Sequence, residues 1–256
     1  MHSLKYISSI IIAFSLLSCK AQEPSSEIVV QIPSIEQEAT SIWRTINDIA
    51  FFEQQGYNIQ LPNDPVIDSL IAKSKAKTFG NEDYPTIFNL LESKVYQESD
   101  YEKAFKKVKT QAPAIQKMLR QLSTEQHKWN WDFKMYPTYT VVFTLYGTGG
   151  SYDPDTGTIT LFTNTEGGFM NYENPANTII HEIVHIGVEE SIVQTYQLSH
   201  GLKERLIDNV VTALFKDQLP NYRIQNMGDR KMDGLINAQE DLHNLDQTIS
   251  EFLKKS

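Results

Sequence analysis

The chain has 256 residues, 40% of them hydrophobic and 21% charged, with a formal net charge of −9. That composition fits a globular protein long enough for one large domain or two small ones. The acidic balance argues against a general nucleic-acid binder, which would carry a basic footprint.

The first segment, residues 1–18, stands outside the expected fold. Lys5 precedes an apolar run from Ile7 to Leu17, too short for an ordinary membrane span of about 20 residues. The run ends Leu16-Leu17-Ser18-Cys19, which resembles a bacterial lipobox. The resemblance implies a signal peptide cleaved after Ser18, lipid on the Cys19 thiol, and an extracytoplasmic lipoprotein anchored to a membrane of a bacterial cell envelope. The plainer alternative is a secretory signal with an incidental cysteine. Cys19 is the only cysteine, which excludes an intrachain disulfide. Residues 19–34 are polar and contain Pro and Ser, and they read as a tether.

Residues 35–128 are helical in character. Ile35, Ala39, Ile42, Trp43, Ile46, Ile49 and Ala50 keep a helical stripe. Asn63-Asp64-Pro65 opens a second segment with a cap residue and a first-turn proline. Further segments are expected near 84–97 and 99–122, with breaks around Gly80-Asn81 and at Pro113. From Trp129 a catalytic region, residues 129–256, follows. Trp129, Trp131, Phe133 and Tyr136 read as core. Tyr139 to Tyr146 and Thr158 to Thr163 are rich in β-branched and aromatic residues and read as strands, with turn chemistry from Gly147 to Gly157 between them. Asn174-Pro175 then opens a helix. Helices, strands and helices in that order give an α+β fold with an antiparallel sheet portion.

That helix carries His181-Glu182-Ile183-Val184-His185. Positions i and i+4 share one helix face, so His181 and His185 can turn imidazole nitrogens to one metal ion, and Glu182 can act as general base beside it. Glu189 continues the same stripe, but three ligands from one straight stripe lie close to a line, which suits a tetrahedral metal poorly. Ser199 is a candidate cap for the next helix, on which Glu204 and Asp208 are again four apart.

H-E-x-x-H, then 18 residues, then E-x-x-x-D resembles the gluzincin branch of the zincin metallopeptidases. The resemblance covers residues 139–214. It implies a zincin-like domain, Zn2+ on His181, His185 and Glu204, Asp208 orienting a ligand histidine, and a peptide or protein substrate. Tyr196 and His200 are candidates for an oxyanion or proton-donor role, against blander roles in packing and at a helix start. Val188 and Ser191 stand where a metzincin has glycine and its third histidine, which excludes that branch. Gly168-Phe-Met-Asn171 lacks the glutamate of an aminopeptidase signature.

Two other readings stay open: a zinc hydrolase acting on a non-peptide amide, and a surface lipoprotein that binds a partner and keeps zinc structurally. Asp229 to Glu240 fits part of an EF-hand spacing. However, Lys231 stands where a calcium ligand belongs, so an ordinary turn is expected.

Overall fold

The computed structural model describes residues 26–170 and 172–255. The signal segment and Cys19 lie outside the described residues, as does Asn171.

The chain opens with β1 (Glu27–Val30), then α1 (Ile35–Asn47), α2 (Ile49–Gln55), α3 (Pro65–Lys75) and α4 (Tyr84–Leu90). The long α5 (Glu102–Gln126) leads to β2 (Thr138–Thr144), β3 (Ser151–Asp153) and β4 (Thr158–Phe162). α6 (Pro175–Val188), α7 (His200–Phe215) and α8 (Leu245–Lys255) complete it. The molecule is α+β, mostly helical, with one four-stranded sheet in the order β1-β2-β4-β3.

Three expectations need correction. The sheet is mixed, because β1, β2 and β4 run parallel and only β3 is antiparallel. Alternating residues identify a strand but not the direction of its partner. Here the chain leaves β2, skips one strand position, descends as β3 and hairpins into β4, which slots between them. β1 falls inside the span expected to be a tether; its Glu-Ile-Val-Val pairs with Thr138–Val141. Pro113 does not break α5. It lies on the exposed side, where the carbonyl that loses its partner can meet water. α5 packs in the larger core with β2, α6 and α7 rather than with the N-terminal helices.

A smaller core holds Ala39, Ile42, Ile46, Ile67, Leu70, Ile87 and Leu90 from α1, α3 and α4. Asp64 caps α3 by accepting from the Val66 N–H, with Pro65 in the first turn. The larger core takes one face of the sheet, through Val141, Phe143, Ile159 and Leu161. Trp129, Trp131 and Phe133 join it, the two indoles stacked at 5.0 Å.

Candidate metal centre

Asn174 caps α6, its side chain accepting from the Ala176 N–H at 3.1 Å, and Pro175 occupies the first turn. Every residue of α6 is buried, as expected for a helix apolar on nearly all sides. Gly187 admits the Phe133 ring, which lies where a β-carbon would stand. α7 packs beside α6 and turns Glu204 and Asp208 towards it.

The three expected ligands meet. His181 Nε2 and His185 Nε2 are 3.0 Å apart, and each lies 3.4 Å from Glu204 Oε2. Zinc at about 2.0–2.2 Å from tetrahedral ligands would set them roughly 3.3–3.6 Å apart. The two histidine–glutamate spacings fall in that range and the histidine–histidine spacing is slightly short of it, so the donor set can hold a metal ion, with zinc among the fits. Among the described residues, no further Cys, His, Asp or Glu atom joins this cluster.

Asp208 reaches His181 both directly, its Oδ1 3.3 Å from Nδ1, and through Tyr222. The Tyr222 O–H donates to Asp208 Oδ1 at 2.7 Å, so its oxygen accepts from His181 Nδ1, also at 2.7 Å. Nε2 of His181 is left facing the cluster, the usual logic of a carboxylate that orients a metal-binding imidazole. The Gln225 N–H holds the other Asp208 oxygen at 2.6 Å. His185 is fixed differently. Its Nδ1 has no hydrogen-bond partner among the described residues, and the Tyr152 ring stacks on it at 4.8 Å. The Tyr152 O–H donates to Glu189 Oε2 at 2.7 Å, which takes Glu189 away from the ligand cluster.

Burial dominates the electrostatics. It pushes Glu182 up to about 7 and His185 down to about 4. Burial also opposes charge on His181, but Asp208 and Glu204 outweigh it and raise that imidazole to about 10. Glu204 is held well below the carboxylate range: burial works against this, and the two histidines outweigh it. Before metal binds, the cluster is thus one carboxylate, one imidazolium and one neutral imidazole.

A cleft of about 760 Å³ opens on these residues. Gly150 lies at its floor, where an added β-carbon would stand 2.7 Å from Glu182 Oε1. His200 lines the cleft, with Nε2 2.7 Å from the Tyr57 hydroxyl and Nδ1 3.7 Å from Glu204 Oε1. Ser199 has cap geometry but makes no side-chain cap bond.

Tyr196 is not on the cleft; it packs against the larger core. A π-helical stretch, Glu189–Gln194, separates α6 from Tyr196. The segment from Asp229 folds into 3-10 turns. Asp229 accepts from the Lys231 N–H at 2.9 Å, and Asp233 pairs with Arg205. Both carboxylates are engaged within the protein, in keeping with an ordinary turn.

Tyr57, Tyr152, Tyr222 and Gln225 escape sequence reasoning. They come from loops and a three-residue strand, where no periodicity marks them. The chain matches no protein-family model, no curated protein and no solved structure.

Proposed function

We infer that the protein is a zinc-dependent hydrolase, of the gluzincin kind and so a metallopeptidase, with His181, His185 and Glu204 as ligands and Glu182 as general base. The observation that carries this reading is the buried His181–His185–Glu204 cluster lying with Glu182 in one open cleft. Zinc held there would supply Lewis-acid polarisation and a water acidified to near neutrality.

The rest is the work of the chain's own residues. Glu182, poised near neutrality by its burial, can take a proton and return it to a leaving amine. Tyr222 and Asp208 hold the His181 ring, and Tyr152 holds that of His185. A cleft of about 760 Å³ suits a segment of a peptide or protein. Three protein ligands with space beside them favour an enzyme over a closed structural site, which would have four. The same cluster would also serve a hydrolase of non-peptide amides.

Glu182→Gln tests the reading. The zinc-loaded variant should keep its metal and lose about 10²–10⁴-fold in turnover of a peptide library. Equal turnover in both proteins removes Glu182 from the mechanism.

The location we propose rests on the Leu16-Leu17-Ser18-Cys19 sequence alone: a lipid on Cys19 anchoring the protein outside the cytoplasm. Cys19→Ser should release it from the membrane fraction and abolish fatty-acid labelling. A wild-type protein that takes up no labelled fatty acid sinks the anchor.

A further inference from the structure

α1 has two distinct faces. Ala39, Ile42 and Ile46 enter the smaller core, whereas Gln37, Thr40, Ser41, Arg44 and Thr45 line a groove shared with the sheet. The sheet is two-faced as well. Val141, Phe143, Ile159 and Leu161 are buried in the larger core. Cross-strand partners share a face, so the register sets Ser151 beside Thr160 and Asp153 beside Thr158 on the side away from Ile159 and Leu161.

A helix over a sheet ordinarily closes the interface with interlocking apolar side chains. Here short hydroxyl side chains line both walls and leave an open groove of about 430 Å³. The Ser151 and Thr160 hydroxyls have no hydrogen-bond partner among the described residues. The groove adjoins the metal cleft across the edge strand, because Arg44, Phe52 and residues 148–152 line both.

We propose that this groove is a second arm of the substrate cleft, holding an extended stretch of polypeptide with short side chains, away from the bond to be cleaved. Its identification as a substrate arm rests on the hydrolase reading above. Hydroxyls both donate and accept, which suits the alternating N–H and C=O groups of a peptide main chain. At about 430 Å³ against about 760 Å³ for the metal cleft, the groove suits Gly, Ala, Ser or Thr better than bulky side chains. The walls carry Arg44 but also Glu36, Asp48 and Asp153, so an acidic segment is repelled on balance. The chain would lie on the face of the sheet, under α1.

Two independent plugs test this: Ser41→Trp from the helix wall and Thr160→Trp from the sheet wall, each checked for folding by its thermal melt. Randomised quenched-fluorescent decapeptides and tetrapeptides are compared on the full-length zinc-loaded protein. Labelled decapeptides are also titrated onto zinc-loaded Glu182→Gln and its plugged forms. The ratio of decapeptide to tetrapeptide kcat/KM should fall about tenfold or more in the plugs, and decapeptide affinity should fall with it. Short, non-acidic residues should be preferred at positions remote from the cut. Cleavage with an unchanged ratio in the folded plugs, or a preference for bulky or acidic residues there, overturns the groove and leaves the hydrolase reading intact. Plug-sensitive binding without cleavage by the Glu182 form upholds the groove and defeats the hydrolase. Neither cleavage nor binding overturns both.

Discussion

Gly187→Ala adds one carbon to the helix that carries both histidines. Alanine favours a helix interior over glycine by about 1 kcal/mol, which on propensity alone predicts a stabilised protein. Packing opposes this. The new β-carbon would stand 1.9, 2.2 and 2.3 Å from three atoms of the Phe133 ring. Carbon contacts settle at about 3.5–4.0 Å, so one partner must move by roughly 1.5 Å. The ring has nowhere to retreat. Trp129 and Trp131 hold it at 5.3 and 5.9 Å between centroids, and the Lys134 N–H donates to the Gly187 carbonyl at 2.9 Å. Overpacking of this kind costs about 1–3 kcal/mol, and such a deep overlap belongs in the upper part of that range. The net expectation is a loss of about 1–2 kcal/mol and a Tm lower by about 2–8 °C for a chain of this size. Thermal and urea melts of the zinc-free protein measure it. Adding Phe133→Leu to Gly187→Ala should restore part of the loss, as expected for two residues in contact. An unchanged or higher Tm in Gly187→Ala would refute the reasoning.

Glu204→Ala should lower zinc affinity by about two orders of magnitude or more, and Glu189→Ala, whose carboxylate is engaged by Tyr152, should change it by less than about tenfold. Metal titration decides, and the reverse order would make Glu189 the third ligand. Zinc affinity should also rise with pH. His181 at about 10 carries a proton that zinc must displace, whereas His185 at about 4 does not. The competition operates below about 10 and fades above it, so affinity should climb about tenfold per unit between roughly pH 6 and 9. Chelator competition across that range would show a flat profile if His181 were already neutral.

What was legible in the sequence was local. His181, Glu182 and His185 are set by a four-residue helical spacing, and Glu204 with Asp208 by another, so their faces follow from the chain before any tertiary contact. The caps at Asp64 and Asn174 are legible for the same reason. The residues that finish the site are not local. Tyr57 meets His200 across 143 positions, and Tyr152 reaches Glu189 across 37. Nothing in a Gly-rich turn says that its one tyrosine will stack on a histidine of a later helix. Strand direction was hidden likewise, since β2 and β4 show the same alternation whether they pair parallel or antiparallel. Tyr196 rests on the resemblance alone, and in the fold it packs against the larger core and does not line the cleft.

The N-terminal helices are joined to the rest of the molecule by polar ties as well as by packing. Glu38 of α1 is fully buried and accepts from the Tyr101 hydroxyl at 2.7 Å and from the Leu145 N–H at 2.9 Å. One carboxyl thus links α1 to the start of α5 and the exit of β2, and its burial pushes its pKa up. Both bonds fall on Oε1, while the buried Oε2 has no hydrogen-bond partner among the described residues, so the carboxyl ties its partners together at a cost in burial. The exit of β2 leads straight into residues 148–152, the wall that the groove and the metal cleft share. Phe51 of α2 packs on His200 at the other side of the cleft, and Tyr57, in the loop just after α2, bonds to it. The cleft is therefore walled on one side by Arg44 and residues 51–58 and on the other by α6 and α7. A helical region that builds one wall of the metal cleft is part of the site, which weighs against its being a separate module for docking a partner.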